Sequence, residues 1–238
     1  MKKENIPAEL TKLITEDEIM MFMELRIKIQ ELNLTTNLTR LIEGDDYWVS
    51  QVYDSIWLFK ENSNNLDNKK FIDIGTGCGF PGFAYAITHP NSEIYLIDSS
   101  RKKTDSLKRI IKNLNFKNKI YVINDRIENF SKQSSFRNSF QVATARAVSK
   151  PSTVAEYMLP ILSEKGCGIL YCGKWSNEDK RNLEKTLEIL NGKITQIKNN
   201  FLPNDKGIRN AVFIQPKGIC PEIYPRSIGK AEKYPLCD

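Results

Sequence analysis

The segment FIDIGTGCGFPG, residues 71–82, constrains the fold of this chain more than any other stretch. Phe71, Ile72 and Ile74 read as a buried strand, with Asp73 near its end. Gly75, Gly77 and Gly79 follow, a run that can take positive φ and leaves no Cβ atoms between backbone and ligand. Pro81 suits a first helical turn, and Gly82 with the apolar FAYAI predicts a helix starting just after it. A strand, a glycine turn and a helix N-terminus together make a nucleotide-binding corner.

Two templates fit the glycines. Counted from Gly77 the string is G-x-G-x-x-G, the dinucleotide fingerprint, which leaves Asp73 and Gly75 unexplained. Counted from Gly75 it is G-x-G-x-G preceded by a strand-end acid. Asp73-x-Gly75-x-Gly77-x-Gly79 is similar to the first motif of S-adenosylmethionine-dependent methyltransferases. A glycine match is a weak signal by itself, so the surrounding pattern decides.

That pattern is alternation. Strand-like runs fall at 71–74, 94–98, 119–125, 140–147 and 166–172, with helix-like FAYAITH, KTDSLKRIIKNL and PSTVAEYMLPIL between most of them. This predicts an α/β fold with a doubly wound, mostly parallel sheet. After Lys174 come a charged helix, SNEDKRNLEKTLEIL, and two strand-like runs, KITQIKNNF and NAVFIQP, read as a hairpin closing the sheet edge. Upstream, Thr15 and Glu18 form a capping box ahead of a long helix that ends within NLTTNLT, 33–39. Asp45 or Asp46 is expected to cap the next helix, with Trp48, Val52, Ile56 and Phe59 on one face. NSNNLDNKK, 62–70, reads as a loop. The expected organisation is an N-terminal helical extension (1–64), a methyltransferase domain (65–216) and an irregular basic C-terminal tail (217–238).

With 238 residues, 40% hydrophobic and 27% charged, the chain can bury a full core, which argues against disorder over most of its length. Five cysteines without a CxxC pair or metal-like spacing read as reduced thiols, with no metal site expected. No apolar run approaches the ~20 residues that span a bilayer, and MKKENIPAELTK lacks a signal-peptide core. A cytoplasmic location without membrane attachment is therefore expected. The net charge of +6 permits a polyanionic partner.

Asp98 ends the second strand 23 residues after Gly75, where a carboxylate can accept from both ribose hydroxyls of a nucleoside. Ile127 can cover an adenine, and Glu128 or nearby backbone can bond its edge. The fourth strand, ATARAV, lacks the Asn/Asp-Pro-Pro-aromatic string of amino-group methyltransferases, and no cysteine has the Pro-Cys context of cytosine-C5 enzymes. The lone histidine, His89, sits in a turn-like THPNS. A reaction needing no strong base fits these residues. Guanine N7 is such a target, and Arg146 and Lys174 would then contact phosphate or base. Arg101, Lys102, Lys103, Lys108, Arg109 and Lys112, with Arg226, Lys230 and Lys233 in the tail, could form a basic rim.

The order and spacing of NLT at 37–39, DS at 54–55, DIGTGCGFPG, LIDSSRKK, RIE, ARAV, GK at 173–174 and YPR..G resemble the RsmG (GidB) family, the bacterial 16S rRNA guanine-N7 methyltransferases, over roughly residues 20 to 236. The resemblance implies a Rossmann-like seven-stranded methyltransferase fold, S-adenosyl-L-methionine as cofactor and 16S rRNA in the small ribosomal subunit as partner. It places cofactor contacts on Gly75, Phe80, Ile127, Glu128 and Arg146, with Asp98 and Ser99 in the ribose-binding region. Ser50 and Gln51 stand where the family often has Arg-His, and Cys78 where it often has Pro or Ala. The alternatives are an NAD-dependent oxidoreductase and a cofactor-binding RNA module without catalysis.

Overall fold

The computed structural model describes residues 6–61 and 66–237. The boundary expected at 64/65, and most of the polar string before Asp67, lie outside the described residues. Helices α1 (Ala8–Thr11) and α2 (Glu16–Thr36) come first. The Thr15–Glu18 capping box is present, and Asn37 ends α2 in the left-handed conformation. The short α3 (Gly44–Tyr47) has Glu43 at its N-cap without a side-chain cap, so Asp45 and Asp46 lie inside the first turn rather than capping it. Their carboxylates there still oppose the positive helix end.

A π-helical turn, Trp48–Tyr53, then runs into α4 (Asp54–Glu61). The expected single apolar face is too narrow a description. Every residue from Tyr47 to Phe59 is buried, Ser50, Gln51, Asp54 and Ser55 among them. The segment is wedged between α2 and the sheet. The π turn shifts the residues that follow it around the helix axis, a local irregularity often found at functional sites.

The rest alternates: β1 (Lys70–Ile74), α5 (Gly82–Thr88), β2 (Glu93–Asp98), α6 (Arg101–Asn113), β3 (Lys119–Asn124), α7 (Ile127–Phe130), β4 (Phe140–Arg146), α8 (Pro151–Met158), β5 (Leu162–Cys172), α9 (Asn177–Ile189), β6 (Gly192–Phe201), β7 (Ile208–Pro216) and α10 (Lys230–Lys233). The seven strands form one sheet in the order β3-β2-β1-β4-β5-β7-β6. β1 to β5 are mutually parallel, and β7 runs antiparallel to both β5 and β6. The β6–β7 hairpin therefore closes the edge as expected, with β6 outermost.

β5 begins four residues earlier than the apolar run suggests. Leu162 pairs with Phe140, the register then shifts, and Cys167 pairs with Val142. Gly166 sits in this irregular stretch, where a Cβ would lie 2.6 Å from the Phe140 carbonyl oxygen. Polar SEKG reads as a loop because its residues accommodate a bulge.

Alternate strand residues feed two cores. Phe71, Ile94, Leu96 and Val142 join a cluster with α2, the π turn, α4, α5 and α6. Ile72, Ile74, Tyr95, Ile97 and Ala143 join the other, under α7, α8 and α9. The tail packs against this second side. Arg137 donates to the carbonyl oxygens of Cys220, Pro221 and Tyr224 at 2.8–3.0 Å. Arg226 forms a fork onto the buried Glu156 carboxylate, with contacts of 2.7–3.1 Å. Arg226 is thus a structural clamp rather than part of an open basic rim.

Candidate functional site at the carboxyl ends of β1, β2 and β4

The strand order reverses between β1 and β4, so the crevice of an open α/β sheet lies beyond their carboxyl ends. The glycine turn leaves β1 at this point. Gly75, Gly77 and Gly79 have φ of +65°, +60° and +97°. Thr76 N–H donates to the Ile97 carbonyl at 3.0 Å, fastening the turn to β2. Asp98 reinforces it: Oδ2 accepts from Gly77 N–H at 2.9 Å and Oδ1 from Ser100 N–H at 2.8 Å. Each carboxylate oxygen keeps acceptor capacity for a ligand hydroxyl.

Asp73 has a different task. It is fully buried, its Oδ2 accepting from Gly82 N–H at 3.0 Å and its Oδ1 from the Thr144 hydroxyl at 2.9 Å. The motif acid thus staples the start of α5 and β4 to β1. Burial pushes its carboxyl up to about 6, against the opposing pull of its hydrogen-bond donors.

Two adjoining clefts open here, sharing Gly75, Lys103 and Ala147. Asp98, Ser99, Arg126, Ile127, Tyr157 and Glu232 line the first, of about 260 Å³. Gly77, Phe80, Arg146, Gln51, Asp54 and Arg209 belong to the second, of about 400 Å³. Seven of the nine expected cofactor residues line one cleft or the other.

Gly79 and Glu128 do not. A Cβ at Gly79 would come within 2.2 Å of the Phe83 ring, so this glycine serves packing beneath the turn. The Glu128 carboxylate is buried and turned toward Arg126, at 3.0 Å, and the tail's Gly229 N–H, also at 3.0 Å. Burial alone would raise this carboxyl, but those donors outweigh it and hold it below the usual range. It is Arg126, pinned by Glu128, that faces the first cleft.

Phe80 is buried and packs edge-on to Tyr47 at 6.0 Å, forming a wall of the second cleft. Lys174 lines neither cleft. It is exposed and lies in a separate groove beside the β6–β7 hairpin. Of the basic run after β2, only Lys103 reaches the clefts; Arg101 and Lys108 pair with Asp105 on the helix surface.

The second cleft holds groups that sequence reasoning assigned no role. Arg146 Nη1 donates to the Ser50 carbonyl at 3.0 Å and to Asp54 Oδ2 at 3.2 Å, and its Nη2 donates to Gln51 Oε1. Arg209 Nε reaches the same Asp54 Oδ2 at 3.1 Å. Gln51 Nε2 donates to Thr39 Oγ1 at 3.1 Å and Cys78 Sγ at 3.2 Å. Residues from the π turn, the glycine turn, β4 and β7 thus converge. Thr39, Asp54, Ser50, Gln51 and Cys78 stood in the segments compared with RsmG, but Arg209 lay inside a run read only as a strand.

The residues fit a nucleoside cofactor. The nearest atom to a Cβ added at Gly77 is 3.9 Å away, so protein packing leaves that space clear. The apolar Ile127 and the acid Asp98 face the cleft beside it. An open dinucleotide-binding sheet would continue past β5 with a parallel sixth strand. Here β7 is threaded antiparallel between β5 and β6, the arrangement of a Rossmann-like, S-adenosylmethionine-dependent methyltransferase.

The comparisons narrow the class. Residues 18–206 match the family model GidB, described as rRNA small subunit methyltransferase G, and the chain belongs to that family. It is 74% identical over 237 residues to a protein named ribosomal RNA small subunit methyltransferase G from Prochlorococcus marinus subsp. pastoris, covering 99% of each chain. A protein of the same name from P. marinus strain NATL1A is 43% identical, covering 96% of this chain and 92% of the relative. Among solved structures, a branched-chain polyamine synthase from Thermus thermophilus superposes with a TM-score of 0.54 at 13% identity, covering 70% of this chain and 56% of that one. That likeness is one of fold alone.

Proposed function

We propose that this chain transfers a methyl group from S-adenosylmethionine to N7 of a guanosine in 16S rRNA of the small ribosomal subunit. The observation that carries this reading is the state of the second cleft. Among the described residues its one carboxylate, Asp54, is committed to two guanidiniums, and no histidine lines it. Such a site is built for a nucleophile that has no proton to lose.

The bound cofactor supplies an electrophilic sulfonium methyl. With the cofactor bound, a bond would form from guanine N7 to that carbon as the carbon–sulfur bond broke, leaving a cationic purine and releasing no proton in the step. The chain's own residues bind and orient. Asp98 and the glycine-turn backbone hold the nucleoside, Ile127 covers one face of the adenine, and Arg126 closes the edge beside it. Arg146 is fixed by Ser50, Asp54 and Gln51 near the junction of the clefts, with one Nη2 hydrogen and Nε–H left to donate. An arginine commonly grips both O6 and N7 of guanine. Here N7 must stay open to react, so Arg146 is suited to O6 or a phosphate oxygen. Much of the acceleration then comes from in-line positioning.

Labelled S-adenosylmethionine, incubated with undermethylated small subunits and with protein-free 16S rRNA, tests the reading once the modified nucleotide is mapped. A cationic N7-methylguanosine at one site is expected. Label on an exocyclic amine or a pyrimidine carbon would overturn it, and absence of transfer would favour a non-catalytic RNA module. Ribosomal RNA matures in the cytoplasm of bacteria, which is where such an enzyme works.

A further inference from the structure

Beyond the two clefts, the tip of the β6–β7 hairpin carries an exposed aromatic surface. β7 pairs with β5 only as far as Asn210, opposite Cys172, whereas it pairs with β6 to its end, Ile208 opposite Phe201. The hairpin therefore overhangs the carboxyl edge of the sheet. Cross-strand partners share a face, and so do residues two apart along a strand. Asn199, Phe201, Ile208 and Asn210 thus lie on one face. The other face is anchored: Asn200 Nδ2 donates to the Tyr53 hydroxyl at 3.1 Å, and Arg209 reaches Asp54.

The exposed face is costly to leave bare. Phe201 is 73% exposed and Ile208 is 47% exposed. Lys174 and Trp175, from the β5–α9 connection, complete a groove in which none of the lining side chains is acidic. The groove lies beside the second cleft. Asn210 Nδ2 donates to the Gly173 carbonyl at 2.6 Å, and Gly173 lines that cleft.

We propose that this groove holds an unpaired stretch of the RNA substrate flanking the target guanosine, with a base stacked on Phe201 and a phosphate on Lys174. This rests on the functional reading above. A base presented to a cleft must leave its helix, so single-stranded neighbours should run away from it across the adjoining surface. An exposed aromatic ring beside an exposed lysine is the combination that binds single strands, through stacking and charge. The groove thereby gives Lys174 an RNA-holding role outside the chemistry.

The test uses the full chain with undermethylated small subunits. Phe201→Ala should raise the Kd for the subunit roughly ten-fold. Phe201→Trp should keep it near the native value. Lys174→Ala should weaken binding and reduce the slope of log affinity against log salt by roughly one phosphate's worth. Affinity for S-adenosylhomocysteine should be unchanged in all three. A photoreactive phenylalanine analogue at position 201 should crosslink to 16S rRNA. A crosslink only to a ribosomal protein, or Phe201→Ala and Lys174→Ala binding like the native chain, would overturn the groove. If the native chain neither binds nor methylates the subunit, the functional reading fails first and this proposal with it.

Discussion

Asp54, at the first residue of α4, receives Arg146 from the end of β4 at 3.2 Å and thereby joins the N-terminal helices to the second cleft. The same oxygen receives Arg209 at 3.1 Å. One buried carboxylate therefore spaces two cations that would otherwise repel across the cleft wall. Its Oδ1 is buried without a hydrogen-bond partner, so the arginines are what offset its desolvation.

Asp54→Asn should accordingly act on stability and on catalysis together. Breaking a buried ion pair by removing one partner costs about 3–5 kcal/mol. The partial exposure of both arginines places this substitution at the lower end of that range. Urea unfolding should show the loss. Single-turnover methyl transfer on the small subunit should fall further than the unfolded fraction accounts for. Native rates in a folded variant would show that the arginines hold their positions without it.

The three glycines of the turn should separate by mechanism. Gly77→Ala meets no atom nearer than 3.9 Å but must adopt φ of +60°, so it should fold with a cost of about 1–2 kcal/mol. Its methyl occupies the ligand's side of the turn, and calorimetry should show weakened S-adenosylhomocysteine binding. Gly79→Ala places a Cβ 2.2 Å from the Phe83 ring and should fail mainly in folding. Equal melting temperatures for the two variants would contradict this division.

How much of this was legible beforehand differs by element. The nucleotide-binding corner was readable because glycine spacing, strand-end acids and helix starts are local. The β6–β7 hairpin was readable from two apolar runs with no helix between them. The second cleft was not, because it is built by contacts across long sequence separations. Gln51 and Asp54 meet Arg146 only once the sheet is assembled, and Asp54 looks in sequence like any helix-start acid. Glu128 follows the third strand where an adenine-binding residue is expected, and the structure commits its carboxylate to Arg126 and Gly229, which leaves the backbone of this segment for a ligand edge. One partner, Arg126, is two residues away, but the other, Gly229, lies 101 residues away, and only the folded tail completes the carboxylate's set of donors. Ala147, a non-glycine residue at φ +56° where the two clefts meet, gave no signal either.

Asp98 holds the glycine turn and, on the proposed reading, the ribose, and Asp98→Ala should reveal both. Losing a charge-assisted acceptor for the ribose weakens binding by ~1.5–3 kcal/mol, a ten- to hundred-fold drop in affinity. Gly77 N–H and Ser100 N–H would also lose their acceptor. The turn should therefore exchange its amide hydrogens faster even without ligand. A change in affinity under twofold would mean the ribose is held elsewhere.

Asp73 predicts a pH dependence of stability. Its folded carboxyl lies at about 6, above the ordinary 3.8. Between about pH 4 and pH 6 the folded chain holds a proton that the unfolded chain has released. Stability from this group is therefore full below that window, falls as pH rises through it and is level above it. The span corresponds to a change on the order of 3 kcal/mol. Asp73→Asn removes the titration while keeping the shape, although its amide loses one acceptor for Gly82 or Thr144. The difference in unfolding free energy between native chain and variant should decline from pH 4 to pH 6.5. A difference that is flat with pH would mean Asp73 titrates as an ordinary carboxyl.

The absence of a proton in the proposed step gives the sharpest contrast. His89 is buried, with its ring stacked on Tyr85 at 4.3 Å, and edge-on to Phe59 at 6.0 Å, in the core below α5. It lines neither cleft. His89→Ala removes this aromatic packing and should lower the melting temperature, while the folded fraction transfers methyl at the native single-turnover rate. Arg146→Ala should lower stability as well, because it leaves the buried Asp54 with Arg209 alone, but transfer by the folded fraction should fall too. On the proposed reading it removes the guanidinium that positions the target base, so transfer should fall at least a hundred-fold, about 2.7 kcal/mol of barrier. Arg146→Lys keeps the charge but not the planar fork, and should recover only part of the rate. Because no side chain must titrate, the native single-turnover rate should also lack a histidine-like inflection between pH 6 and pH 8. Abolition of chemistry in well-folded His89→Ala, with full activity in Arg146→Ala, would reverse the assignment and require a reaction that moves a proton.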